Sequence, residues 1–134
     1  MHITKENIHK FIEGTTMDCY NKGITKIEFI PEGIMTLYCF DNKLISLPKL
    51  PKSLVNLQCY NNKLTSLPLL PDSLINLDCS NNKLTSLLKL PDSLKYLKCY
   101  NNNLPYPIQK KEEMKKHNKL IKRKNILEKI RLYH

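Results

Sequence analysis

Residues 54–73 read LVNLQCYNNKLTSLPLLPDS, and close copies of this stretch stand on both sides of it at a spacing of 20 residues. The five cysteines show how strict the copying is: Cys19, Cys39, Cys59, Cys79 and Cys99 each lie 20 positions from the next. Units that begin at Gly14, Ile34, Leu54, Leu74 and Leu94 then align column by column. One column is Met17, Leu37, Leu57, Leu77 and Leu97; another is Lys22, Asn42, Asn62, Asn82 and Asn102; a third is Ile24, Leu44, Leu64, Leu84 and Leu104. The shared frame is L-x-x-L-x-C-x-x-N-x-L-x-x-L-P-x-L-P-x-S. A fixed period of this length is the mark of a solenoid, in which no unit buries its apolar face alone.

The frame resembles the leucine-rich repeat in its shortest form. Its L-P-x-L-P ending, as in Leu47-Pro48-Lys49-Leu50-Pro51, is similar to the repeats of secreted bacterial effectors of the LPX class and of leucine-rich-repeat proteins of giant DNA viruses. The resemblance covers roughly residues 14–108 and implies a curved solenoid that grips a protein partner on its concave side. Those effectors also carry a separate C-terminal ubiquitin-ligase domain. The 26 residues that follow position 108 are too few for one, so the resemblance implies no ligase activity here.

Within each unit the alternation around L-x-C has the period of a short strand. It predicts that Leu57 and Cys59 point inward while Asn56, Gln58 and Tyr60 point out. Neighbouring units would build a parallel sheet, and the amide of Asn62 would satisfy backbone groups of the turn after it. The proline-rich ending predicts an extended, polyproline-like convex side.

The two ends read differently. Residues 1–13 predict a helical cap, with a helix over residues 4–13 opened by Thr4, stapled by Ile3 and Ile8 and ended by Gly14. Residues 14–108 hold about five repeats, and the pattern breaks at Leu104-Pro105-Tyr106-Pro107. Residues 109–134 contain no Pro or Gly and predict a basic C-terminal helix. Its apolar residues split into two groups: Met114, Leu120 and Ile121 to cover the solenoid, then Ile126, Leu127, Ile130 and Tyr133 further round, to project or meet a partner.

Three outward columns cross the predicted sheet. They read Thr36, Asn56, Asn76, Tyr96; then Asp18, Tyr38, Gln58, Asp78, Lys98; then Tyr20, Phe40, Tyr60, Ser80, Tyr100. The last is an aromatic stripe broken at Ser80. Exposed aromatics in a polar surround have the composition of interface anchors, which makes Tyr38, Phe40, Gln58, Tyr60, Asp78, Tyr96, Lys98 and Tyr100 the candidate partner-binding residues. Mutual stacking across strands for stability is the competing reading of the same rings.

The charge is concentrated at one end. Of 22 Lys and Arg, ten fall in residues 109–134 against three acidic residues there. The candidate basic patch is Lys115, Lys116, Lys119, Lys122, Arg123 and Lys124, a run that attracts nucleic acid, acidic membrane or acidic protein. A solvated capping helix in a lysine-rich chain is the reading the composition favours; the sequence has no Ala, and Arg occurs only at positions 123 and 131.

The cysteine column does not fit a metal site. Zinc needs four sulfurs about 2.3 Å from one point, whereas rungs about 4.8 Å apart spread far beyond that, and the four histidines lie outside the repeats. Buried free thiols are the expectation, which with the lack of a signal-peptide-like or membrane-spanning apolar run predicts a cytoplasmic protein, of its own or a host cell. Catalysis has no constellation to support it: the three glycines make no phosphate loop, and no nucleophile, base and acid can be grouped. No cofactor and no small-molecule substrate are expected. The function read from the sequence is therefore a non-catalytic protein-binding module, adaptor or decoy. Nucleic-acid or acidic-surface binding through the basic helix is the alternative, and a piece of a longer repeat protein a third reading.

Overall fold

Each copy of the repeat closes one turn of a ladder of short strands. A computed structural model describes residues 1–132. The strands are β1 (His2–Ile3), β2 (Ile12–Glu13), β3 (Thr16–Asp18), β4 (Lys26–Ile27), β5 (Thr36–Tyr38), β6 (Asn56–Gln58), β7 (Asn76–Asp78) and β8 (Tyr96–Lys98), followed by the helix α1 (Lys111–Leu132). A six-stranded sheet runs in the order β2-β3-β5-β6-β7-β8, and β1 pairs with β4 in a small second sheet. From β3 onward the large sheet is parallel, and its register follows the repeat: Leu37 stands opposite Leu57, Leu57 opposite Leu77, and Leu77 opposite Leu97.

Because side chains alternate along a strand, one residue of each three-residue strand faces in. Leu37, Leu57, Leu77 and Leu97 fill those places, and Cys39, Cys59, Cys79 and Cys99 follow them into the core. Leu44, Leu64 and Leu84 come in from the turn, and Leu50, Leu70 and Leu90 from the far side of each coil, so the stacked units share one continuous core. No regular strand or helix forms between Lys43 and Val55 or between Lys63 and Ile75, as the proline-rich ending requires.

The expected helix over residues 4–13 is not there. It is a single 3-10 turn, Ile8–Phe11. Ile12 and Glu13 instead pair antiparallel with Met17 and Thr16 across the two-residue turn Gly14-Thr15, where Gly14 takes φ +60°. The open edge of β3 offers backbone partners that an isolated short helix could not match. Thr4 does not cap by its side chain either; its N–H donates to Asn7 Oδ1 at 2.8 Å. The segment still covers the first turn, since Ile3, Ile8 and Phe11 are buried, but it does so as strand, turn and hairpin rather than as a helical cap.

At the other end the chain folds back over the last coil. Ile108 is 2% exposed, and its carbonyl accepts the thiol of Cys99 at 3.3 Å. Glu113 then caps the start of α1 by accepting the N–H groups of Gln109 and Lys110. Met114 packs on the core as expected, but Leu120 is 50% exposed. The apolar spacing missed that the buried partner of Met114 is His117, one turn on and 2% exposed. Ile126, Leu127 and Ile130 are exposed, and Tyr133 lies outside the described residues.

Candidate partner-binding face

The outer face of the six-stranded sheet is held by a ladder of asparagines one layer beneath it. Asn62 Nδ2 donates to the carbonyls of Cys39, Cys59 and Tyr60 at 3.0–3.3 Å, while its Oδ1 accepts the N–H of Leu44 at 3.0 Å. Asn42, one unit before, and Asn82 and Asn102, one and two units after, repeat the same set. Immediately before each, and before Lys22 in the first unit, stands a residue in the left-handed conformation: Asn21, Asp41, Asn61, Asn81 and Asn101 have φ between 51° and 55°. Asn and Asp tolerate this region better than other side chains, so the doubled N-N or D-N is a turn signal. The frame read from the sequence used only its second letter.

Serines lock the opposite side of each coil. Ser73 and Ser93 Oγ donate to the carbonyls of Leu54 and Leu74 at 2.6 Å, and Ser53 Oγ does the same to Ile34 at 2.8 Å. The turns are thus tied at two points, and the strand between them has little freedom to tilt.

On this frame the aromatic column stacks. The rings of Tyr20 and Phe40 lie 4.8 Å apart with planes 14° from parallel. Phe40 and Tyr60 follow at 4.5 Å and 10°. Tyr38 meets Phe40 edge-on at 6.2 Å. The rings brace one another across the strands, and their stack remains on the surface, with Tyr20 exposed and Phe40 and Tyr60 half-buried. Tyr20, absent from the candidate residues, extends the stack by one rung.

The stack stops at Ser80, which is fully buried and whose Oγ has no hydrogen-bond partner among the described residues. Burial also pushes the Tyr60 hydroxyl up from its ordinary value, with Asp41 and Asp78 adding to the effect. Beyond the gap Tyr100 is 52% exposed and Tyr96 65% exposed. The candidate residues thus form two groups. Tyr38, Phe40 and Tyr60 make one ordered aromatic plate, flanked by Gln58, which donates to Asn56 Oδ1 at 2.8 Å. Tyr96, Lys98 and Tyr100 stand apart on the last strand, with Asp78 between the groups accepting the N–H of Ser80 at 3.1 Å.

The six candidate basic residues, Lys115, Lys116, Lys119, Lys122, Arg123 and Lys124, are all exposed on α1. Lys115, Lys119 and Lys122 follow helical spacing along one side, with Lys116 and Arg123 beside them. That side is turned from the one bearing Met114, His117 and Asn118, by which the helix docks. Lys124 flanks the docked side, lining a groove with Ile121 and His117, and Lys119 and Lys122 line another with Asn118.

The cysteine column supplies no site chemistry. All five are free and buried, and burial pushes every thiol up, Cys19 to about 12 and Cys39, Cys59 and Cys79 well above their ordinary value. Thiols held protonated in this way are poor nucleophiles.

The solved structure of YopM from Yersinia enterocolitica WA-314 is similar to this chain at 30% sequence identity and a TM-score of 0.67, covering 76% of it. The fold is a leucine-rich-repeat solenoid. The chain spans 23% of the length of the YopM chain it matches. No protein-family model matches the sequence, and no curated protein does. No helix among the described residues is long and apolar enough to cross a membrane.

Proposed function

We propose that this leucine-rich-repeat solenoid is a non-catalytic protein-binding module, an adaptor or decoy, whose partner lies on the outer face of the large sheet. The observation that carries this reading is the Tyr20-Phe40-Tyr60 stack, three rings each within 5 Å of the next on an exposed face. Rings already ordered by their neighbours bury a large area on binding while losing little side-chain entropy. The surrounding Gln58, Asp78 and Lys98 supply the polar margin typical of such anchors. The five free thiols support action in a reducing compartment, the cytoplasm of its own or a host cell. The L-P-x-L-P ending supports a place among the LPX-type repeats.

The test is capture from nuclease-treated cell lysate by the wild type and by a triple variant carrying Tyr38→Ser, Tyr60→Ser and Tyr100→Ser. The proposal expects a protein retained by the wild type and released by a variant that melts as a folded solenoid. Equal capture by both overturns it.

A second reading rests on the six cations exposed along α1. It assigns nucleic-acid or acidic-surface binding to that helix. Its mark is an affinity for duplex DNA or RNA that falls steeply with salt and survives the three tyrosine substitutions.

A further inference from the structure

The sheet grows by a bond that repeats every 20 residues. The N–H of Cys19, Cys39, Cys59 and Cys79 each donates across to the next unit, to the carbonyls of Tyr38, Gln58, Asp78 and Lys98 at 2.8–3.0 Å. Asn21, Asp41, Asn61 and Asn81 do the same to Phe40, Tyr60, Ser80 and Tyr100 at 3.0–3.1 Å. A third member of the set comes from side chains: the N–H of Ile24, Leu44, Leu64 and Leu84 donates to Oδ1 of the asparagine in the following unit at 2.9–3.0 Å.

At the last turn this array has nothing to bond. The sheet ends at β8, and among the described residues no acceptor stands opposite the N–H of Cys99, Asn101 or Leu104. The two ends are therefore unlike. At the first turn β2 pairs with β3 and closes the edge; at the last, the returning segment plugs the core with Ile108 but leaves the edge of β8 unpaired. Beside that edge runs a groove of about 570 Å³, lined by Leu97, Tyr100, Leu104, Tyr106 and Ile108 among others.

We propose that β8 and this groove bind an extended segment of a partner protein, added as one more parallel strand, with a carboxylate opposite Lys98 and an apolar side chain in the groove. Backbone donors in strand spacing call for backbone carbonyls in strand spacing, which only an extended peptide supplies. Alternation sets the side chains: residues flanking the one beside Lys98 point inward, over Leu97 and Cys99. The charge follows from the register already present, in which Asp78 stands opposite Lys98 on the paired side of β8; Lys98 is exposed and lines the groove on the other side. A second copy of this chain is the poorer occupant, because two β8 edges meeting antiparallel bring Lys98 of each copy together. This site is separate from the aromatic plate, and either holds without the other.

The test uses a blocked peptide with the sequence of residues 73–82 carrying Cys79→Ser, which repeats the Asn-Leu-Asp strand of β7. Amide exchange of the full chain is followed by NMR as the peptide is added. The proposal expects saturable binding that slows exchange at Cys99, Asn101 and Leu104 together. It also expects a loss of affinity of about tenfold when the peptide carries Asp78→Lys, recovered when the protein carries Lys98→Glu. Binding indifferent to both charge changes overturns it, as does peptide that leaves those three amides unprotected. Protection that appears without peptide and rises with protein concentration also overturns it, in favour of a second copy at the edge.

Discussion

Asn118 closes a ring of two hydrogen bonds with Leu90. Its Oδ1 accepts the Leu90 N–H and its Nδ2 donates to the Leu90 carbonyl, each at 2.8 Å. A side-chain amide here does what a neighbouring strand would do, satisfying both backbone groups of a residue in a segment without regular structure. His117 acts beside it. Its Nε2 meets the carbonyl of Leu88 at 2.9 Å and its Nδ1 the hydroxyl of Tyr106 at 2.7 Å, so a neutral ring with Nε2–H and an accepting Nδ1 satisfies all three groups.

Replacing Asn118 with Ala leaves the Leu90 N–H and carbonyl half-buried without partners, at a cost of about 1–3 kcal/mol. The loss is local. Amide exchange at Leu90 should accelerate and the helical signal of α1 should melt before the sheet, whereas Asn125→Ala, at an exposed position, should change neither. A single cooperative transition lowered as a whole would show that α1 and the solenoid unfold as one unit.

Asn62 sits at the centre of the asparagine ladder, 9% exposed, with three carbonyls facing its Nδ2 and one N–H facing its Oδ1. Asn62→Ala should therefore cost about 1–3 kcal/mol in denaturant melts. Asn62→Asp should cost more, because it turns a carboxylate oxygen toward three carbonyl oxygens where a donor stood. Equal losses from the two variants would show that water enters the site and screens the repulsion.

Ser80 is the one rung of the aromatic column without a ring, and its buried hydroxyl has no partner among the described residues. Ser80→Ala removes that unpaired group at nearly constant shape and should raise stability by about 1 kcal/mol. A fall in the melting temperature instead would mean that the hydroxyl is bonded through water.

The buried thiols make the protein sensitive to alkali. Their folded-state values are raised, so above the ordinary thiol value of about 8.5 the unfolded chain releases protons that the native chain keeps. The native state then holds more protons, and stability falls as pH rises, by about 1.4 kcal/mol per pH unit for each such thiol. For Cys19 the fall continues to about pH 12, where its native thiol ionises; below the ordinary thiol value the contribution is fully present. Urea melts between neutral pH and that limit should show the decline, and Cys59→Ala should make it shallower. A flat profile would mean that the thiols titrate alike in both states.

The period, the inward leucines and cysteines and the bonding role of Asn62 were legible in the sequence because each repeats every 20 residues, and a pattern set by one unit's contact with its copy is visible wherever the copy is visible. What fails to repeat was read less well. The first thirteen residues carry the caps of a short helix, and only the unpaired edge of β3 made Ile12 and Glu13 a strand instead. His117 and Asn118 look like two polar residues in a lysine-rich helix, yet both are spent on backbone groups of Leu88 and Leu90, 28 or 29 residues away, where no local pattern points. The stacking of Tyr20, Phe40 and Tyr60 follows from register, so the column could be written down from the sequence; that Ser80 is sealed and Tyr96 and Tyr100 stand free depends on which side chains lean over which rung. The repeat determined the coil, its core and the columns on its face, because those are nearest-neighbour contacts between like units. The two ends, the docked helix and the unpaired edge of β8 were decided only in three dimensions, because there the chain meets partners that are not copies of itself.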